Sequence, residues 1–202
     1  ERVICMMTAG NLAITQAVMS LLQENIDNPK DGLTTLFSAE SMFEVAEIVG
    51  DAMRVTQGKY GPGLSAMGES AVSSIILAGH RVGGRPRLFY IYSAGNFIEA
   101  TDDTPYFQIG ENKYGKPILD RVITPETPLD TGITAALLSM DSTLRSNLSV
   151  GMPLDLAVMH SENVGFAQLR RIEENDENFR NLSEAWSAAL RNAFGEMASI
   201  PV

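Results

Sequence analysis

The sequence predicts an α+β fold, and three observations carry the prediction. Apolar residues recur at helical spacing in several segments, and those segments come mostly in pairs. Between the pairs lie β-rich runs separated by Gly-Gly, Ala-Gly and Asp-Asp turn signals, spaced as in an antiparallel meander. Neither G-x-G-x-x-G nor G-x-x-x-x-G-K-[ST] occurs, so the regular βαβ alternation of a nucleotide-binding sheet is not supported. If both helix pairs cover the outer faces of two stacked sheets, the result is a four-layer α-β-β-α sandwich. The 202 residues are enough for one sizeable domain spanning 1–202.

The chain opens on a strand already in full run, Glu1 to Met7, which breaks at Thr8-Ala9-Gly10. A strand edge left bare would carry unpaired donors and acceptors, so other chain is expected to precede it. Leu12 to Gln23 reads as a helix capped by Asn11, because Ile14, Val18, Leu21 and Leu22 fall on one face. A turn follows around Asn28 to Gly32. Ser38 is then expected to cap a second helix carrying Met42, Val45, Val49 and Met53, stopped by Gly58 to Gly63. Strands are expected at Val72 to Ala78, Arg87 to Tyr92, Asn96 to Ala100 and Tyr106 to Ile109. A short helix at Pro117 to Ile123 precedes a longer one, capped by Asp130, with Ile133, Leu137, Met140 and Leu144 in a stripe. Strands return at Leu154 to His160 and Phe166 to Ile172. The last helix carries Phe179, Leu182, Trp186, Ala189 and Ala193.

Composition narrows the function. Apolar residues make up 45% and charged residues 20%, the values of an ordinary globular chain. Apolar runs such as Val3 to Met7 fall far short of the roughly 20 residues that span a bilayer. The net charge of −10 argues against nucleic acid or anionic membrane partners. One cysteine, Cys5, sits in an apolar strand; it can form no internal disulfide, fits a reducing cytoplasm and reads as core filling. His80 and His160 are isolated, without metal-ligand spacing, and no metal site is expected.

Four stretches, in order, resemble the proteasome β-type subunits, members of the N-terminal-nucleophile hydrolase superfamily. They are Thr8-Ala9-Gly10-Asn11-Leu12-Ala13; Ile76 to His80 with Arg85 to Gly95; Ile109-Gly110-Glu111 with Pro117 to Asp120; and Arg145 to Val150 with Leu154 to Val158. Tyr114 to Arg121 and Ser142 to Ser149 are similar to the bacterial branch called Anbu.

The resemblance implies the four-layer hydrolase fold without its first strands, and a threonine peptidase mechanism. In the family a threonine at the mature N-terminus attacks a peptide carbonyl and its own α-amine is the base, reasonable for a group of pKa about 7.7 to 8.0. The alignment at Gly10 places that threonine, with an assisting aspartate and lysine, upstream of Glu1; Thr8 is not the nucleophile. Gly10 corresponds to the glycine whose N–H donates to the oxyanion, a role compatible with a plain turn glycine. Thr8, Leu12 and Gln16 match positions lining the specificity pocket, or else serve ordinary helix packing. Ser146 and Ser149 match an Asp-x-x-Ser pair that hydrogen-bonds the threonine amine; Ser146 replaces the aspartate and removes a charge. Glu111 stands where the family has serine, and either restores that carboxylate or is a solvated turn residue.

The resemblance further implies peptide substrates, no cofactor, and a homo-oligomer built as a ring or an open spiral, with no ATPase partner specified. A weakly active or non-catalytic scaffold subunit is the alternative within the family. An unrelated α+β binding protein would instead be a monomer.

Overall fold

The computed structural model describes residues 1–197, so the last five positions of the expected 1–202 domain lie outside the described residues. The elements are β1 (Arg2–Gly10), α1 (Leu12–Asp27), α2 (Met42–Ala66), β2 (Ser73–Arg81), β3 (Arg87–Ile91), β4 (Phe97–Glu99), α3 (Lys116–Val122), α4 (Leu129–Ser146), β5 (Leu154–Val158), β6 (Gln168–Ile172) and α5 (Glu177–Glu196). One antiparallel sheet runs β1-β2-β3-β4, and β5 and β6 pair separately. The contacts divide the chain into two units, residues 1–110 with 157–168 and residues 111–156 with 169–202.

In the first unit α1 and α2 cover one face of the sheet. Ile14, Val18 and Leu22 of α1 and Val45, Val49 and Met53 of α2 meet Ile75, Leu77, Phe89 and Ile91 of the strands. Fully burying each such side chain contributes on the order of 1.5 to 3 kcal/mol. Register follows from the pleat: Met6 pairs with Leu77, which pairs with Phe89, so all three share the helix-facing side. The opposite side carries Cys5 opposite Ala78 and Val3 opposite His80. Burial pushes the Cys5 thiol up, away from thiolate reactivity. His80 is fully buried, and neither ring nitrogen finds a hydrogen-bond partner among the described residues. His160 is exposed just beyond β5.

Four local expectations need correction. Ser38 does not cap α2: its hydroxyl closes a turn with Thr35, accepting from that residue's N–H at 2.8 Å. The cap is Ser41, which accepts from Glu44 N at 3.1 Å, while Glu44 Oε2 reaches back to Glu40 N at 2.6 Å. That is a capping box displaced by one residue, written as Ser41-x-x-Glu44. The glycines at 58, 61 and 63, with Pro62, do not stop the helix, which runs on to Ala66. Leu64 packs against the core from the last turn, Gln57 Nε2 holds Ala71 O at 2.7 Å, and Gly68, at φ +77°, ends the run. Tyr106 to Ile109 is irregular rather than a strand; Phe107 instead packs edge-on to Tyr90 at 5.7 Å. Asp130 lies inside the first turn of α4, where its charge favours the helix N-terminus, and Pro128 is the cap.

In the second unit α4 packs against both α3 and α5. Gly115 sits so close to α4 that a Cβ there would collide with the Ser139 hydroxyl. Asp141, buried on α4, accepts from Ser183 Oγ of α5 at 2.6 Å and from Arg145 Nε at 3.1 Å; Arg145 also donates to Ser183 Oγ at 2.6 Å.

Two outcomes test this reading. Gly58 lies within α2 with nothing inside 4 Å of an added Cβ, so Gly58→Ala should raise unfolding stability by about 1 kcal/mol in chemical denaturation. Glu99 accepts both Nε and a terminal nitrogen of Arg87, at 2.6 and 2.5 Å, and this hydrogen bonding holds its carboxyl below the usual range. A carboxyl depressed in the folded state stabilises above its ordinary pKa of about 4.3, and the contribution is lost as pH falls through the lower folded value. Glu99→Gln should therefore cost about 1 kcal/mol near neutral pH. Its thermal midpoint should also fall less steeply than the parent's on acidification below about pH 4.

Candidate functional site

The first group of residues singled out by the sequence gathers where β1 becomes α1. Gly10 has φ +102°, in the left-handed range, and a Cβ there would run into the Val72 carbonyl oxygen. The turn is held from three sides. Asn11 N donates to Val72 O at 2.9 Å, Asn11 Nδ2 donates to Ser70 O at 2.9 Å, and Asn11 Oδ1 caps α1 by accepting from Ile14 N at 3.1 Å. Beneath it Ser73 is buried, its N–H donating to Ser93 Oγ at 2.7 Å. Gly10 is thus a rigid backbone position at the end of an edge strand, suited to presenting a backbone donor.

Around it, Thr8, Leu12 and Gln16 are all exposed, Leu12 at 66%. Leu12 and Gln16 are one turn apart on α1, away from the buried Ile14 and Val18. None of the three is spent on packing. Leu12 is a large apolar side chain held out at the first position of α1, one turn from the Gln16 amide.

The second group lies in the other unit. Glu111 is half-buried: Oε2 accepts from Asn147 Nδ2 at 3.0 Å and Oε1 from Lys113 N at 3.0 Å. Asn147 Oδ1 in turn accepts from both Ser149 N, at 2.8 Å, and Ser149 Oγ, at 2.7 Å. Glu111 and Ser149 are therefore joined through Asn147, a residue that sequence reasoning passed over. Its signal was an asparagine two residues ahead of a serine at a helix end, the spacing of an Asx turn. Ser146, the last residue of α4, is exposed and takes no part in these hydrogen bonds.

A cleft of about 230 Å³ lined by Ala78, Arg85, Arg87, Leu88, Glu99 and Met159 lies toward the opposite end of β2 from Ser73. Among the described residues no group of His, Cys, Asp and Glu is placed to hold a metal ion, and no helix is long and apolar enough to cross a membrane.

Replacing Gly10 by alanine forces a side chain into the Val72 carbonyl and into an unfavourable φ. Gly10→Ala should lower stability by about 2 kcal/mol or more in urea unfolding, whereas Gly32→Ala, at a positive φ in open space, should cost about 1 kcal/mol.

No family model matches the chain, and no curated protein matches it. Solved structures do. A mutant Anbu from Hyphomicrobium sp. strain MC1 is 50% identical, with TM-score 0.92, over 100% of this chain and 83% of that one. Anbu from Yersinia bercovieri, described as an ancestral β-subunit, is 42% identical with TM-score 0.90, over 100% and 83%. A helical assembly of the Anbu complex from Pseudomonas aeruginosa is 42% identical with TM-score 0.91, over 100% and 82%.

Proposed function

The chain belongs to the Anbu family, which is proteasome-like, and from that premise we propose that it is a threonine peptidase subunit that hydrolyses peptide bonds inside a homo-oligomeric assembly. The observation that carries this reading is the Gly10 turn: a locked left-handed glycine beside exposed Thr8, Leu12 and Gln16, in a chain up to 50% identical to Anbu over its whole length. The nucleophile is a threonine outside residues 1–202. Its hydroxyl adds to the peptide carbonyl carbon and passes its proton to the threonine's own α-amine. Gly10 N–H donates to the oxyanion, an interaction of about 3 to 4 kcal/mol in the transition state. Collapse returns the proton to the leaving amine, and water then hydrolyses the ester.

In this reading Leu12 selects an apolar side chain, Thr8 and Gln16 supply polar contacts beside it, and Ser149 hydrogen-bonds the threonine amine. Ser146 stands in place of the family's aspartate, and Glu111 returns a carboxyl from a neighbouring loop. The chain is one domain of the four-layer hydrolase type, and copies assemble in an open spiral or ring in the cytoplasm. The relative from Pseudomonas aeruginosa, a helical assembly, supports the spiral.

The loss of the aspartate at Ser146 favours a second reading, a scaffold subunit with little or no turnover. N-terminal sequencing and intact mass of the purified full-length protein, alongside release of aminocoumarin from peptide amides, separate the two. A processed N-terminal threonine with turnover abolished by its replacement with alanine is the expected result. An unprocessed extension without turnover would establish the scaffold instead.

A further inference from the structure

We propose that Asn147 is a positioning residue of the peptidase site, setting the hydrogen-bond polarity of Ser149 and binding it to Glu111. The inference rests on the peptidase reading above and extends it to a residue that reading leaves out. The orientation of the Asn147 amide follows from its neighbours. Ser149 N–H can only donate, so the atom 2.8 Å away is the amide oxygen; the group facing Glu111 Oε2 at 3.0 Å is then the amide nitrogen, which only donates.

The same oxygen lies 2.7 Å from Ser149 Oγ. A carbonyl oxygen has no proton to give, so the hydroxyl proton of Ser149 points at Asn147. Ser149 therefore meets any other group with its lone pairs. This polarity matters for a threonine whose α-amine is the base. A hydroxyl donating to that amine would occupy the lone pair needed to take the nucleophile's proton. A hydroxyl accepting an N–H leaves the lone pair free and helps to aim it.

The amide is itself well supported. Asn147 N closes α4 by donating to Thr143 O at 2.9 Å, and Val150 N donates back to Asn147 O at 3.2 Å. Within the last two turns of α4, Arg145 and Asp141 fasten it to Ser183 of α5. Gly115 against Ser139 brings the loop that carries Glu111 alongside α4. The contact between Glu111 and Asn147, 36 residues apart, is therefore built by helix packing and not by chance proximity on a surface.

The test uses the intact protein carrying its threonine, with a peptidyl aminocoumarin amide as probe and thermal melting as the control for folding. Asn147→Leu removes the acceptor and should lower kcat about tenfold with KM within about twofold, the size of one net hydrogen bond. Asn147→Asp keeps the acceptor for Ser149 but sets two carboxyl groups facing each other, and should also lose kcat. Adding Glu111→Gln to Asn147→Asp restores a donor opposite an acceptor, and should return kcat to within about threefold of the parent. If the leucine variant fails to fold, the comparison between Asn147→Asp and the double variant decides alone. A folded Asn147→Leu with parental kcat, or a double variant no better than Asn147→Asp, overturns the inference and leaves the peptidase reading standing. A parent protein without turnover overturns both.

Discussion

Burial of α1 and α2 against one face of the β1–β4 sheet is the constraint from which the rest of the first unit follows. The apolar stripe of each helix needs a partner surface, and it finds one in the row formed by Ile75 and Leu77 of β2 with Phe89 and Ile91 of β3. Once that seam forms, a one-residue slip of β1 would turn Ile4 and Met6 away from the core and present Cys5 and Met7 instead. Register in turn decides where β1 ends. Gly10 falls opposite Ser73, against the Val72 carbonyl, and the chain can enter α1 only through a left-handed residue. The geometry of the β1–α1 turn is thus tied to the core packing of α1, which begins at Ile14.

The second unit is organised differently. Its helices bury few large apolar side chains; Leu119 and Ala135 are among the buried residues, with Ser139, Asp141, Thr143 and Ser183. Polar closure takes over part of the work. Thr143 Oγ1 donates to Ser139 O at 2.9 Å within α4, and the Asp141, Arg145 and Ser183 cluster crosses to α5. Breaking one member of such a cluster leaves the others buried and unsatisfied, which makes the arrangement specific even where its net stabilisation is small. A loop anchored to that frame, such as residues 147 to 150, is held by directional bonds and can present a hydroxyl in one orientation.

Much of this was legible in sequence, for identifiable reasons. The order of elements followed from periodicity, and Asn11 was readable as a cap because it precedes the first apolar residue of a clear stripe. The errors arose where a local signal competed with tertiary contact. Ser38 and Ser41 are both good caps; only the glutamate three residues after Ser41 distinguishes them, and that cue was available. The glycines after residue 57 each weaken a helix by about 1 kcal/mol, but the anchoring of Leu64 on the core outweighs them, and core contacts have no local signature. Asn147 went unnoticed because its importance comes from Glu111, brought beside it by packing of the 111–115 loop on α4. The resemblance had singled out Ser146 and Ser149, on either side of it.

The serine at position 146 bears on how a site tolerates the loss of a charged residue. A carboxyl at position 146 would act directly from the end of α4. With serine there, the carboxyl in the loop network is Glu111, joined to Ser149 by two hydrogen bonds through the single amide of Asn147. An amide relay carries no net charge, so it transmits orientation rather than electrostatic attraction. On the peptidase reading the site would therefore retain the alignment of its amine while losing part of the field that polarises it. Such a trade favours modest turnover with preserved geometry. It also explains why a scaffold reading and a peptidase reading converge on the same residues: both need the loop ordered, and they differ in whether a nucleophile is present to use it.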